Sequence, residues 1–136
     1  MNRIFLLAAI IFLVQCKGTP TVSGLTLENT YWKLTEAGGK PVETPAQGRE
    51  VHMILTSENN IKGFAGCNGL GGDYTVDGNK VDFSIMTTRM FCELQMEVEN
   101  RLTQALTEAD RYVINGKTLE LYKGETLVAR FEAQNR

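Results

Sequence analysis

Turn dipeptides at short spacing constrain this 136-residue chain more than any other feature it has. Asp77-Gly78 and Asn115-Gly116 each stand between two short apolar-alternating runs. Such pairs supply the positive φ of a two-residue hairpin turn, so the runs on either side must pair antiparallel. Ser57-Glu58-Asn59-Asn60 and Lys123-Gly124-Glu125 are two further reversals. Between the turns, residues alternate with the period of a half-buried strand. Val51, Met53 and Leu55 share one face, as do Leu127, Ala129 and Phe131. The spacing predicts strands near residues 30–34, 51–55, 61–66, 71–76, 80–83, 112–114, 118–122 and 126–132. Ala37-Gly38-Gly39-Lys40-Pro41 reads as a turn that opens a loop running to Gly48.

The period changes once. Leu94, Val98, Leu102, Ala105, Leu106 and Ala109 recur at spacings of three and four, so residues 93–109 are expected to form an amphipathic helix. Glu93, Glu97 and Glu99 crowd its first half. They are read as dipole compensation and solvation, with Glu97 and Arg101 as an i,i+4 pair. The class is therefore α+β: a curved antiparallel sheet or partly closed barrel of about seven or eight strands, with one helix over an open face.

The length allows one core. Net charge is −2, and loss of Arg3 with residues 1–15 leaves 13 basic against 16 acidic side chains. A mildly acidic domain without a basic run is a poor match for nucleic acid, whose affinity is dominated by phosphate neutralisation. Residues 1–15 carry Arg3 followed by the apolar run Ile4–Val14. Eleven helical residues span about 16 Å, half a bilayer core, so a cleaved signal is the better reading than a permanent span. The run ends in Leu13-Val14-Gln15-Cys16, which resembles a bacterial lipobox, with Gln15 where a small residue is usual. That resemblance implies cleavage before Cys16, lipid on Cys16, and a membrane as partner. Residues 16–24 have tether composition, and 25–133 form the domain.

Cys67 and Cys92 remain for the domain. Two cysteines in a small domain of an oxidising compartment commonly pair, and closing a 25-residue loop would stabilise by about 3–4 kcal/mol. A reduced buried pair and a reactive thiol are the other readings, the second lacking a CxxC spacing. A zinc site needs about four ligands at ordered spacing, and Cys67, Cys92 and His52 with scattered carboxylates do not supply them, so no metal or cofactor is expected. His52 lies on the polar side of its strand and is read as solvent-facing. Gly69-Leu70-Gly71-Gly72 lacks the Gly-Lys-Ser/Thr of a phosphate loop and reads as a bend or bulge, with Asn68 in a left-handed conformation or bonding local backbone. Trp32 reads as a packing anchor.

Taken together, Tyr31-Trp32-Lys33-Leu34, Lys62-Gly63-Phe64-Ala65-Gly66-Cys67-Asn68, Thr88-Arg89-Met90-Phe91-Cys92, Glu97-Val98-Glu99 and Tyr112–Leu121 resemble the META domain family, to which the heat-shock protein HslJ belongs. The resemblance covers about residues 26–132. It implies a strand-rich envelope protein, often a lipoprotein, linked to stress response and antibiotic tolerance. It carries no catalytic residues across. Trp32, Gly63, Gly66, Cys67, Asn68, Thr88, Met90 and Cys92 are accordingly read as fold-specifying. The expected function is non-enzymatic: binding an unidentified partner from a lipid-anchored position, on the outer membrane facing the periplasm. The alternatives are a thiol redox protein using Cys67 and Cys92, or a small-ligand carrier.

Overall fold

The computed structural model describes residues 24–136. The leader expected at 1–15, the lipid attachment expected at Cys16 and the tether up to Ser23 lie outside the described residues. The strands are β1 (Tyr31–Ala37), β2 (Lys40–Pro41), β3 (His52–Leu55), β4 (Asn60–Phe64), β5 (Gly69–Asp77), β6 (Lys80–Thr87), β7 (Arg111–Asn115), β8 (Thr118–Lys123) and β9 (Thr126–Gln134), with one helix, α1 (Met96–Glu108), between β6 and β7. All named strand pairs are antiparallel, as the turns require. The order β1-β3-β4-β5-β6-β7-β8-β9 closes on itself, because β1 also pairs with β9 from Tyr31↔Gln134 to Ala37↔Ala129. The expected partly closed barrel is thus a ring of strands, and β2 is a short flap that folds back on β1 over Gly38-Gly39.

The interior is filled by the inward face of each strand. Trp32, Met53, Leu55, Leu119, Leu121, Ala129 and Phe131 have no exposure. Trp32 anchors this core as expected, and its indole N–H donates to Leu27 O at 2.9 Å. Full burial of an aromatic ring of this size contributes about 3 kcal/mol at the least. Glycines admit two close backbone approaches. A Cβ at Gly63 would overlap His52 O on β3, and one at Gly72 (φ +122°) would overlap Ser84 O on β6. The Gly69–Gly72 stretch is therefore strand, not bend, and its close-approach role falls to Gly72.

The helix starts at Met96, three residues later than its apolar stripe suggests. Leu94 lies outside it and is 83% exposed. The cause is local: Cys92 is tied to Cys67, and the chain turns through Glu93–Gln95 before helical bonding begins. Leu102, Ala105 and Leu106 then enter the core. α1 packs against β6, β9, β1 and β8, so it stands across one end of the barrel. Arg101 pins it there, donating to Ala37 O at 2.9 Å and Lys40 O at 3.2 Å beneath the β1–β2 turn. The Glu97–Arg101 ion pair is present at 3.9 Å on the surface.

Candidate functional site

Glycine, cysteine and asparagine in Gly66-Cys67-Asn68 make the turn from β4 into β5 under the first turn of α1. Gly66 holds φ +130°, and a Cβ there would sit 3.2 Å from Gln95 O, so only glycine fits without strain. The next residue carries the cross-link: Cys67 and Cys92 form a disulfide with Cα atoms 5.7 Å apart. Of the three states open for this pair, the oxidised one is present.

Beside the disulfide lies a buried polar cluster centred on Glu99, which is 4% exposed, and Asn68, which is 2% exposed. One Glu99 carboxylate oxygen, Oε2, accepts from the backbone N–H of Cys67 at 3.1 Å and of Asn68 at 2.8 Å. The other, Oε1, accepts from the Asn68 side-chain amide at 2.7 Å. Three donors on one carboxylate offset much of its desolvation cost, since bonds to a charged acceptor are worth about 1.5–3 kcal/mol each. Glu99 is thus a site residue: it lies in the first turn of α1, where a carboxylate complements the dipole, but its reading as solvated is wrong. The pattern does hold a signal: Glu99, Leu102 and Leu106 recur at spacings of three and four, which puts Glu99 on the apolar stripe.

Asn68 uses its remaining groups on the loop after β6. Its amide donates to Met90 O at 3.0 Å, and its side-chain oxygen accepts from Met90 N–H at 2.6 Å and from the Thr88 hydroxyl at 3.0 Å. Thr88 Oγ1 also accepts from Gly69 N–H at 3.1 Å. Asn68 is not left-handed. The positive-φ non-glycine residues among those described are Asn29 and Asn59. Its partners lie twenty or more positions away, so its role is to join three segments and not to bond its own turn. Cys67, Asn68, Thr88, Met90, Cys92 and Gly66 form one constellation. Trp32 and Gly63 belong to the barrel wall.

A groove of about 440 Å³ opens on the outer side of this cluster, between β6 and α1. Ile85, Thr87, Arg89, Phe91, Met96 and Asn100 are among its lining residues. A second groove, of about 550 Å³, lies around Tyr31, Arg49, Glu50 and His52. There His52 stacks on Tyr31 with ring centres 4.3 Å apart, so the expected solvent-facing histidine is half-buried against an aromatic ring. The Tyr31 hydroxyl donates to Glu50 Oε2 at 3.2 Å. Burial, then the Glu50 hydrogen bond and charge, push its phenol above the ordinary value. Among the described residues no group of three or more His, Cys, Asp or Glu is placed to hold a metal ion, and no helix is long and apolar enough to cross a membrane.

An antiparallel barrel stoppered by one helix, with a disulfide and a buried Asn–Glu cluster at the junction, defines a small α+β domain of one family. The META domain family model matches residues 25–135, and the chain belongs to the META domain family. An NMR structure of a protein from Burkholderia xenovorans is similar at 26% identity and TM-score 0.65, covering 81% of this chain and 85% of that one. A crystal structure of a DUF4847 family protein from Bacteroides vulgatus has TM-score 0.54 at 17% identity, covering 63% and 60%, and shares the fold alone. No curated protein matches this chain.

Proposed function

We propose that this chain is a non-enzymatic META domain of the bacterial cell envelope that acts by binding a partner during envelope stress or antibiotic exposure. The observation that carries the reading is the saturation of the Glu99 cluster. Both sulfurs, the Asn68 amide and the Glu99 carboxylate are each bonded to another part of the fold. A catalytic constellation instead aims a nucleophile or base into an open site. The disulfide supports an oxidising compartment, and the lipobox supports attachment through Cys16. Intact mass of the protein purified from its host's membranes tests the reading. Expected is the polypeptide from Cys16 to Arg136 plus acyl chains, two hydrogens short of the reduced form. A chain that starts elsewhere, or carries both thiols free, overturns it.

One observation favours the thiol redox alternative: Cys92 is only partly buried. Alkylation after mild reduction checks it. A thiol that reacts at near-neutral pH with strongly depressed titration would support redox chemistry, whereas ordinary thiol titration removes it.

A further inference from the structure

The ring of strands has one weak seam. β6 and β7 pair at a single position, Lys80↔Arg111, supported by Val81 N–H to Asp110 O at 3.1 Å and Tyr112 N–H to Asn79 O at 2.9 Å. The parity of β6 is set by its pairing with β5 and by Thr88 N–H to Gly69 O at 3.2 Å. Even-numbered residues of β6 therefore bond β5, and odd-numbered ones turn the other way. Beyond Val81, the N–H and C=O groups of Phe83, Ile85 and Thr87 face the seam and have no backbone partner among the described residues. A row of unpaired strand groups is a template for another extended chain.

A groove lies next to the Ile85 and Thr87 end of this edge. The cavity of about 440 Å³ takes Ile85 and Thr87 from β6, and a second of about 300 Å³ that shares Asn100 and Thr103 with it runs on along α1 alone to Thr107 and Glu108. Along α1 the groove beside β6 runs from Met96 to Thr103, about 10 Å of helix and the length of about three extended residues. The groove's ends differ. At the Thr87 end stand Arg89 and the apolar side chains of Met90 and Phe91, which are 61% and 81% exposed. Glu108 stands at the other end.

We propose that the β6 edge takes up an extended peptide segment of another protein by strand addition, laid in the groove between β6 and α1. The inference deepens the binding reading above and rests on it for the existence of a partner. Main-chain bonds to Ile85 and Thr87 supply the affinity. The charge pattern sets the sequence preference: an acidic and an apolar side chain toward Arg89 and Phe91, a basic one toward Glu108.

The test pans a displayed library of random peptides, about twelve residues long, on the full chain held in detergent micelles. Thr87→Pro deletes an N–H that points at the groove and leaves the β5 ladder intact, because β5 is bonded through the even-numbered residues. Asn100→Trp fills the groove from the helix side without touching a strand, and it reports on the same contact where Thr87→Pro fails to fold. Enriched peptides with apolar alternation that lose about tenfold in affinity on either variant support the proposal. Peptides that bind both variants as tightly as the parent chain overturn it, and so does a selection without enrichment. Amide exchange supplies the remaining check. Phe83, Ile85 and Thr87 should exchange far faster than Asp82, Ser84 and Met86 in the free chain. Protection of all three before peptide is added means that another segment or a second copy already occupies the edge, which overturns the proposal. A failed selection removes the groove and leaves the intact-mass result standing, so the two failures are told apart.

Discussion

The two ends of β6 solve the same problem in opposite ways. Where β6 passes into the loop at Thr88, the chain is held by a disulfide, by five side-chain hydrogen bonds at Asn68 and Thr88, and by the Glu99 carboxylate. Where β6 should continue the ring to β7, it is held by one backbone pair. The difference teaches how a small barrel tolerates an incomplete seam. The two strands meet at Lys80 and Arg111 and part beyond them, with α1 as the connection between them in sequence. The helix then stoppers the opening, and its first turn is fastened to the β4–β5 turn by Glu99 and, through Cys92, by a covalent bond. The same helix thus serves both the lock and the gap.

Breaking the lock should cost most. Glu99→Ala strands three buried donors at once, on Cys67, Asn68 and the Asn68 side chain. The expected loss is about 3–5 kcal/mol, read as a shift in the urea midpoint, with Glu99→Gln losing less because it keeps the shape and one acceptor. A loss under about 1 kcal/mol for Glu99→Ala would mean the cluster is incidental to stability. The Cys67→Ser, Cys92→Ser double variant should lose about 3–4 kcal/mol through the freed 25-residue loop. Its melting transition should fall while the antiparallel sheet signal at low temperature is kept.

A third measurement isolates the far side of the barrel from both regions. Tyr31 is neutral in the fold and carries a raised pKa, because of burial first and Glu50 second. The unfolded phenol ionises near its ordinary value of 10.0. The stabilisation is therefore whole below about pH 10 and is lost as pH rises from there through the folded pKa. Tyr31→Phe should flatten part of the alkaline decline in urea midpoint, and an unchanged decline would dismiss the contribution. The smallest effect belongs to the seam: Lys80→Ala should stay within about 0.5 kcal/mol, since the pairing there is main-chain and the side chain is exposed. A larger loss would show that the seam bears more of the barrel than its pairing implies.

Local chemistry is readable in the sequence, and remote chemistry is not. Asp77-Gly78 and Asn115-Gly116 specify their hairpins because a turn depends on its own φ angles. Trp32 is legible as an anchor because a tryptophan on a short strand packs far more often than it does anything else. Periodicity puts Glu99 on the buried stripe but does not show what it bonds, because its donors lie thirty-one and thirty-two positions away. The partners of Asn68 are hidden for the same reason: residue type suggests a left-handed turn, while Thr88 and Met90 claim its side chain. Periodicity draws Leu94 into the helix, because it cannot register a covalent tie at Cys92. Membership of the META family is carried by the motif pieces, and the structure supplies what they are for: Gly66 admits the helix, and Cys67, Asn68, Thr88 and Met90 fasten it.

The β1–β9 pairing has a consequence for the chain as it is made. Tyr31 pairs with Gln134, so the first long strand waits for the last one. A product cut short before Thr126 keeps every hairpin but the last, Cys67 and Cys92, and all of α1. It still leaves β1 and β8 each with a bare flank, two sticky margins on one molecule. Closure of the ring therefore depends on the nine residues of β9.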